Sequence, residues 1–318
     1  MCIDFRRLNK KVIKERFPLP IIDDQIDKLK DAMVFNSLDL KNGFLHVSIH
    51  NDSQKYTSFV TPNGQYEFTK MPFGLCTAPS VFQRFINDIF KYLIMDGTVL
   101  VYLDDLIIPA KTEEEGIEKL EKVLKRSQGY GLEFNWKKCH FLKKTIQYPG
   151  YIIHNNEVRP SEDKINSVAK FKKPTNIKAI QSFLGLTGYF RKFIRNYSLI
   201  AKPVTDLLKK DVDFYFREEC EKAFVELKQI LCSSPVLCIY NPELETELHT
   251  DASIDRYEAV LLQRSPNDNQ FHPVHYMSKK TTPAERKYHS YYLEILAIAT
   301  AVKKFRVINF GYSFYYHH

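Results

Sequence analysis

The sequence has no C-x-x-C pair, no secretory leader, no low-complexity tract and no internal repeat. No apolar run approaches the roughly 20 residues that cross a bilayer. Each absence removes a class. The cysteines Cys2, Cys76, Cys139, Cys220, Cys232 and Cys238 lie far apart or at spacings unlike a zinc site. A disulfide scaffold and a zinc ribbon are therefore excluded, and reduced thiols in a cytosolic-type compartment are expected. Without a spanning segment, no membrane partner is expected.

What is present is ordinary globular material. At 318 residues the chain is long enough for two or three domains. Hydrophobic residues make up 44% and charged residues 26%, which excludes wholesale disorder. Lys plus Arg number 46 against 38 Asp plus Glu, a net charge of +8 that suits a polyanionic partner. The 19 Tyr and 23 Phe include possible stacking surfaces for bases, although most aromatic side chains serve as core.

Strand and helix signals alternate, which predicts a mixed α/β architecture. Val34 to Leu40 reads as a strand running into the turn Lys41-Asn42-Gly43. Thr61-Pro62-Asn63-Gly64 predicts a hairpin between Tyr56–Val60 and Gln65–Lys70. Helices are expected from Pro79 to about Leu93 and from Glu113 to Gln128, the second with Ile117, Leu120 and Leu124 inward. Past about residue 153 amphipathic helices take over: one capped by Thr175-Asn176 with Ile177, Ile180, Phe183 and Leu184 inward, another from about Glu218 to Leu231. Strands return near Leu244, and a last helix is expected from Pro283 to about Phe305.

Tyr102-Leu103-Asp104-Asp105 is the most informative tetrapeptide. Adjacent carboxylates inside an apolar run are costly to bury unpaired, and like charges this close raise each other's proton affinity. A hairpin tip relieves the burial, and divalent cations would relieve the repulsion. An exposed Asp-Asp turn explains the bare dipeptide as well. The wider constellation distinguishes the two. Asp39 ends another apolar strand and is followed by Gly43-Phe44, and Met71-Pro72-Phe73-Gly74-Leu75-Cys76-Thr77-Ala78-Pro79-Ser80-Val81-Phe82-Gln83 is an unusual loop-to-helix entry.

These runs, with Cys2-Ile3-Asp4-Phe5-Arg6-Arg7-Leu8-Asn9, Gly131-Leu132 through Lys138-Cys139, and Phe183-Leu184-Gly185-Leu186-Thr187-Gly188-Tyr189-Phe190-Arg191-Lys192-Phe193, resemble the reverse transcriptases of gypsy-like long-terminal-repeat retrotransposons. The resemblance covers essentially the whole chain. It implies an α/β fold: a polymerase palm with partial fingers over residues 1–153, a helical thumb/connection region over 154–243, and an incomplete ribonuclease-H-like α/β domain over 244–318. It makes Asp39, Asp104 and Asp105 the catalytic carboxylates and metal ligands, with Mg²⁺ (or Mn²⁺) as cofactor. Phe44 becomes the gate against a ribonucleotide 2′-hydroxyl, Phe73 and Gly74 lie against the incoming nucleotide, Pro79 and Gln83 support the template side, and Lys138 faces the triphosphate. The implied partners are an RNA or DNA template with primer and deoxynucleoside triphosphates. A cytoplasmic, particle-associated or nuclear setting follows; the oligomeric state does not.

The sequence departs from the family's pattern in places. The segment preceding Cys2 and the run following His318 are expected from the family, so the chain reads as truncated at both ends. Tyr148-Pro149-Gly150-Tyr151 occupies the primer-grip position, and Pro149 removes a donor where hairpin pairing is expected. His249-Thr250-Asp251-Ala252-Ser253 and Leu293-Glu294-Ile295 resemble a ribonuclease H start in which Asp251 and Glu294 are two metal carboxylates. Arg256 and Glu258 stand where the family has glycines, which threatens that strand's geometry. An exposed sheet edge near Leu248 is expected. Three functions remain open: RNA-directed DNA polymerase, an inactive nucleic-acid-binding remnant of a mobile element, and a ribonuclease H-type nuclease. The intact Asp39, Asp104 and Asp105 favour the first.

Overall fold

Val34, Phe35, Asn36 and Leu38 are buried along β1 (Val34–Asp39) because this strand lies inside a four-stranded sheet and is covered by helices. A buried asparagine needs partners. Asn36 has them: its Nδ2 donates to Gly116 O at 2.9 Å, and its Oδ1 accepts from Leu142 N at 3.0 Å. The computed structural model describes residues 3–210, 212–305 and 315–317. The chain is a mixed α/β protein that divides into two units, residues 1–146 and 147–318.

In the first unit, α1 (Arg6–Asn9) and α2 (Ile22–Asp27) precede β1. Next come α3 (Asn51–Gln54) and the hairpin β2 (Phe59–Thr61) and β3 (Gly64–Tyr66). The turn is where the sequence predicts it, with Thr61 opposite Gly64 at the end of the ladder. Both strands are shorter than expected: Lys55–Thr57 winds into a 3₁₀ turn before β2, and β3 ends at Tyr66. Helix α4 (Ala78–Met95), strands β4 (Leu100–Tyr102) and β5 (Asp105–Ala110), helix α5 (Glu113–Gly129) and β6 (His140–Lys143) complete the unit. The sheet order is β4-β5-β1-β6. Phe82, Ile86, Ile89 and Phe90 of α4 and Val123 of α5 join Leu38, Val101, Leu106 and Ile108 of the sheet in one core. Each such side chain contributes about 1.5–3 kcal/mol through burial.

Helix α5 starts at Thr112, whose hydroxyl accepts from Glu115 N at 3.2 Å while Glu115 reaches back to Lys111 N at 2.7 Å, a reciprocal cap. Ile117, expected inward, is 54% exposed; Gly116 takes the inward place, where a Cβ would stand 3.2 Å from Leu142 Cδ2 and 3.5 Å from Asn36 Nδ2.

The second unit holds two sheets. The first has the order β10-β9-β8-β7, from β7 (Thr145–Tyr148), β8 (Tyr151–His154), β9 (Glu157–Pro160) and β10 (Leu237–Cys238). Pro149 does not disturb the hairpin, contrary to expectation. Pro149 and Gly150 are the two turn residues between β7 and β8, and Gly150 has φ +82°. Proline favours the first central position of such a turn, where its φ is preset and no ladder donor is needed, and glycine accepts the positive φ that follows.

The helices here are α6 (Glu162–Ala169), α7 (Ile177–Tyr189), α8 (Tyr197–Ile200), α9 (Lys202–Asp206) and α10 (Glu218–Cys232). Asn176 caps α7 by accepting from Ala179 N at 2.9 Å. Ile180 and Phe183 are buried, whereas Ile177 at the helix start is 44% exposed.

The last sheet has the order β13-β12-β11-β14, from β11 (Thr246–Ala252), β12 (Arg256–Arg264), β13 (Phe271–Lys280) and β14 (Tyr315–His317), with α11 (Ser290–Lys304) on one face. Three expectations change here. Helix α11 starts later than Pro283, because Thr282 and Glu285 cap each other and close a separate 3₁₀ turn first. β12 is a continuous strand despite Arg256 and Glu258. Side chains two apart share a face, and these two pair at 2.5 Å. The edge near Leu248 is covered, since β14 pairs in parallel with Glu247–His249.

Cys76, Cys139, Cys220, Cys232 and Cys238 are free thiols, as expected; Cys2 lies outside the described residues. No helix among the described residues is long and apolar enough to cross a membrane.

Candidate active site

The register of the first sheet builds the site. β1 and β5 run antiparallel, and their last paired residues are Asp39 and Asp105. β4 and β5 form a tight hairpin whose closing pair is Tyr102 and Asp105, leaving Leu103 and Asp104 as its two loop residues. Leu40 N donates to Asp104 O at 2.9 Å, which ties the tip of the hairpin to the end of β1. Asp39 thus meets the adjacent pair Asp104-Asp105, some 65 residues on in the sequence, at one sheet end.

Their electrostatics follow from this crowding. Burial pushes the Asp105 carboxyl up to about 6, and the charges of Asp39 and Asp104 push the same way. Burial and then Asp39 also raise Asp104 above its ordinary value. Lys138 opposes both, its Nζ lying 3.4 Å from Asp39 Oδ2. Asp104 Oδ1 is buried without a hydrogen-bond partner. An orphaned carboxylate oxygen beside further carboxylates is a donor set that a hard divalent cation satisfies. Among the described residues no three His, Cys, Asp or Glu side chains are already gathered into a cage for an ion.

The hairpin tip is strained and held from behind. Leu103 has φ +52°, a conformation leucine rarely adopts. Gln83 of α4 is fully buried beneath it. Its Oε1 accepts from Leu103 N at 2.8 Å, and its Nε2 donates to Asn87 Oδ1 at 2.9 Å and Val101 O at 3.4 Å. Gln83 therefore anchors the turn from beneath. Pro79, half-buried, begins the first turn of α4.

Phe44 sits half-buried in the 3₁₀ turn Gly43–His46, with its ring 5.2 Å from that of Phe73 and 5.4 Å from that of Phe82. Phe73 is 53% exposed and gives the cluster an open face. Gly74 has φ +98°, and its carbonyl accepts from Asn9 Nδ2 at 2.8 Å. Asn9 Oδ1 in turn accepts from Cys76 N at 2.9 Å.

Sequence reasoning missed three supports. Asn9 clamps the Gly74–Cys76 loop. His46 links Gly43 O at 3.1 Å with Glu133 N at 3.0 Å; the second bond needs an acceptor Nε2, so Nδ1 carries the hydrogen. Gly43 lies so close to Asp104 that a Cβ there would collide with Oδ1 and stand 2.7 Å from Phe82 Cζ. Asn42-Gly43 looks in sequence like any turn, and nothing local signals that contact.

The second predicted carboxylate pair is less developed. Asp251 stands opposite Glu258 in the β11–β12 ladder. Leu248, Ala259 and Leu261 pack with Ala301 and Phe305 of α11 and its end, so the pleat turns Asp251 to the other face of the sheet. There it lines a cavity of about 220 Å³ with Arg195, Asn196, His249, Glu258 and Tyr276; Glu294 is not part of this lining.

Comparison with known proteins gives the following. Residues 1–153 match a family described as reverse transcriptase (RNA-dependent DNA polymerase), and residues 216–315 one described as the RNase H-like domain found in reverse transcriptase. The chain is 37% identical over 98% of its length to the retrovirus-related Pol polyprotein from transposon 297 of Drosophila melanogaster, and spans 29% of that protein. It is 34% identical over 96% of its length to the transposon Tf2-3 polyprotein of Schizosaccharomyces pombe, and spans 23% of it. Among solved structures, a foamy viral protease-reverse transcriptase dRH in complex with double-stranded DNA matches with a TM-score of 0.87 and 24% identity over 98% of this chain and 54% of that one. A foamy viral protease-reverse transcriptase in complex with an RNA/DNA hybrid matches with a TM-score of 0.80 and 24% identity over 98% of this chain and 42% of that one.

Proposed function

We propose that this chain, in which a reverse transcriptase domain precedes an RNase H-like domain, is the polymerase part of a retrotransposon Pol polyprotein and catalyses RNA-directed DNA synthesis. The observation that carries the reading is the meeting of Asp39, Asp104 and Asp105 at one hairpin tip. The substrates are deoxynucleoside triphosphates and a primer annealed to an RNA or DNA template. The net charge of +8 supports a polynucleotide partner, as does the presence of nucleic acid in structures of the same fold.

The 3′-hydroxyl oxygen of the primer attacks the α-phosphorus, the bond to the β-phosphate breaks and pyrophosphate leaves. Such a transfer needs positioning and charge neutralisation more than covalent help from the protein. Asp39, Asp104 and Asp105 would hold Mg²⁺ or Mn²⁺, which when bound supplies positive charge for ionising the 3′-hydroxyl and for the departing pyrophosphate. Lys138 adds a cation beside Asp39 and would face the triphosphate. Gln83 keeps the strained Leu103–Asp104 tip in one shape. Phe44, braced by Phe73 and Phe82, would exclude a ribose 2′-hydroxyl.

The nuclease reading has less support, because Glu294 does not join Asp251 in its cavity. The test is extension of a labelled primer on a homopolymer template with Mg²⁺ and the matching deoxynucleotide. Extension is expected. Template–primer binding without extension would replace this reading with that of an inactive remnant.

A further inference from the structure

The β7–β8 hairpin is fastened from outside itself. The Tyr189 hydroxyl at the end of α7 donates to Pro149 O at 2.8 Å, and Ser161 N donates to Gly150 O at 2.9 Å. Both carbonyls of the turn are thereby occupied. The Tyr189 ring lies against Gly150 so closely that a Cβ there would stand 2.9 Å from its Cε1, and it stacks on Tyr151 at 5.4 Å and 26°. Tyr151 also packs on Phe193 at 5.9 Å, and Lys192, only 7% exposed, sits 4.7 Å from the Tyr151 ring. The Gly150 amide hydrogen has no partner among the described residues.

The polarity of this tip is one-sided. Free carbonyl oxygens would repel a phosphate, whereas a free N–H attracts one. With one donor already on each carbonyl, the turn has reduced acceptor character and still presents the Gly150 N–H, near the buried Lys192 cation on the Tyr151 ring. That suits the sugar–phosphate backbone of a nucleic-acid strand. We propose that Tyr189 is a positioning residue: it latches the Pro149–Gly150 turn in the shape that holds the primer strand of a template–primer duplex. The assignment of the strand rests on the polymerase reading, but the latch does not.

Tyr189→Phe in the full chain deletes the hydroxyl and keeps the ring. Three readouts separate the possibilities: hydrogen–deuterium exchange over residues 148–151 without nucleic acid, affinity for a fluorescein-labelled primer–template duplex by anisotropy, and the kinetics of primer extension. Exchange over the turn should quicken and duplex affinity fall, each roughly three- to tenfold, the scale set by one net hydrogen bond. The melting temperature should fall by no more than the roughly 2–4 °C that one net hydrogen bond accounts for, and the KM for deoxynucleotide should stay at the parent value. A general structural defect would instead lower the melting temperature well beyond that and raise exchange across unit 2. Duplex affinity equal to the parent's overturns the proposal whatever the exchange shows. If the parent chain extends no primer, the polymerase reading fails alone, and the exchange and binding results still decide the latch.

Discussion

Replacing Gly43 by alanine is a one-carbon perturbation aimed at the closest contact in the site. The new Cβ would overlap Asp104 Oδ1 and stand 2.7 Å from Phe82 Cζ and 3.0 Å from Asp104 Cγ. Phe82 is fully buried in the core and has little room to retreat, so most of the shift falls on the Asp104 carboxylate. Glycine-to-alanine exchange gains about 0.4–1 kcal/mol where the site is open. Overpacking costs about 1–3 kcal/mol. The net expectation is a loss of about 1–2 kcal/mol, a fall in melting temperature of roughly 2–8 °C for a unit of this size. Activity should suffer more than stability, because displacing a reacting group by about 1 Å can cost a hundredfold. Calorimetric melting and steady-state primer extension measure the two effects separately. Mn²⁺ titration then shows whether ion binding weakens alongside kcat. A variant that melts, binds Mn²⁺ and extends primers like the parent would refute the claim that Gly43 cradles Asp104.

Three further outcomes follow from the same geometry. Phe44→Ala should raise ribonucleotide incorporation relative to deoxynucleotide, measured as the ratio of the two kcat/KM values; an unchanged ratio returns Phe44 to a packing role beside Phe73 and Phe82. The raised carboxyls of Asp104 and Asp105 mean that the native state keeps protons the unfolded chain releases. Their stabilising contribution is therefore full below about pH 4 and fades as pH rises through about 6, by up to about 3 kcal/mol for Asp105. Mg²⁺ should accordingly raise the melting temperature more at pH 8 than at pH 5, and equal shifts at both would contradict the site electrostatics. The chain should cleave no RNA in an RNA–DNA hybrid with Mg²⁺ or Mn²⁺, since Asp251 lies on the face of β11 turned from α11 and beside Glu258; cleavage that Asp251→Asn abolishes would show otherwise.

Much of this site was legible because it is built from strand ends and turns. Periodicity placed β1, α4, α5 and α10, and the acids interrupting the Val99–Ile108 run marked a hairpin tip. What stayed hidden depends on contacts between distant segments. Gln83 is one of many polar residues in a helix until β4 and β5 close over it and Leu103 needs an acceptor. Gly43 gains meaning only from Asp104. Pro149 looked disruptive because a strand was assumed at a position that the fold makes a turn. Arg256 and Glu258 looked disruptive singly, and the strand tolerates them as a pair.

The most direct test of the whole account is Asp104→Asn, compared with the parent for template–primer binding and for Mg²⁺-dependent extension. Asparagine keeps the shape of the side chain and removes the charge whose oxygen is buried without a partner. The account predicts duplex affinity near the parent's, still falling steeply with salt because phosphate contacts dominate it, and extension reduced to background. Extension by the asparagine variant at the parent rate would contradict it.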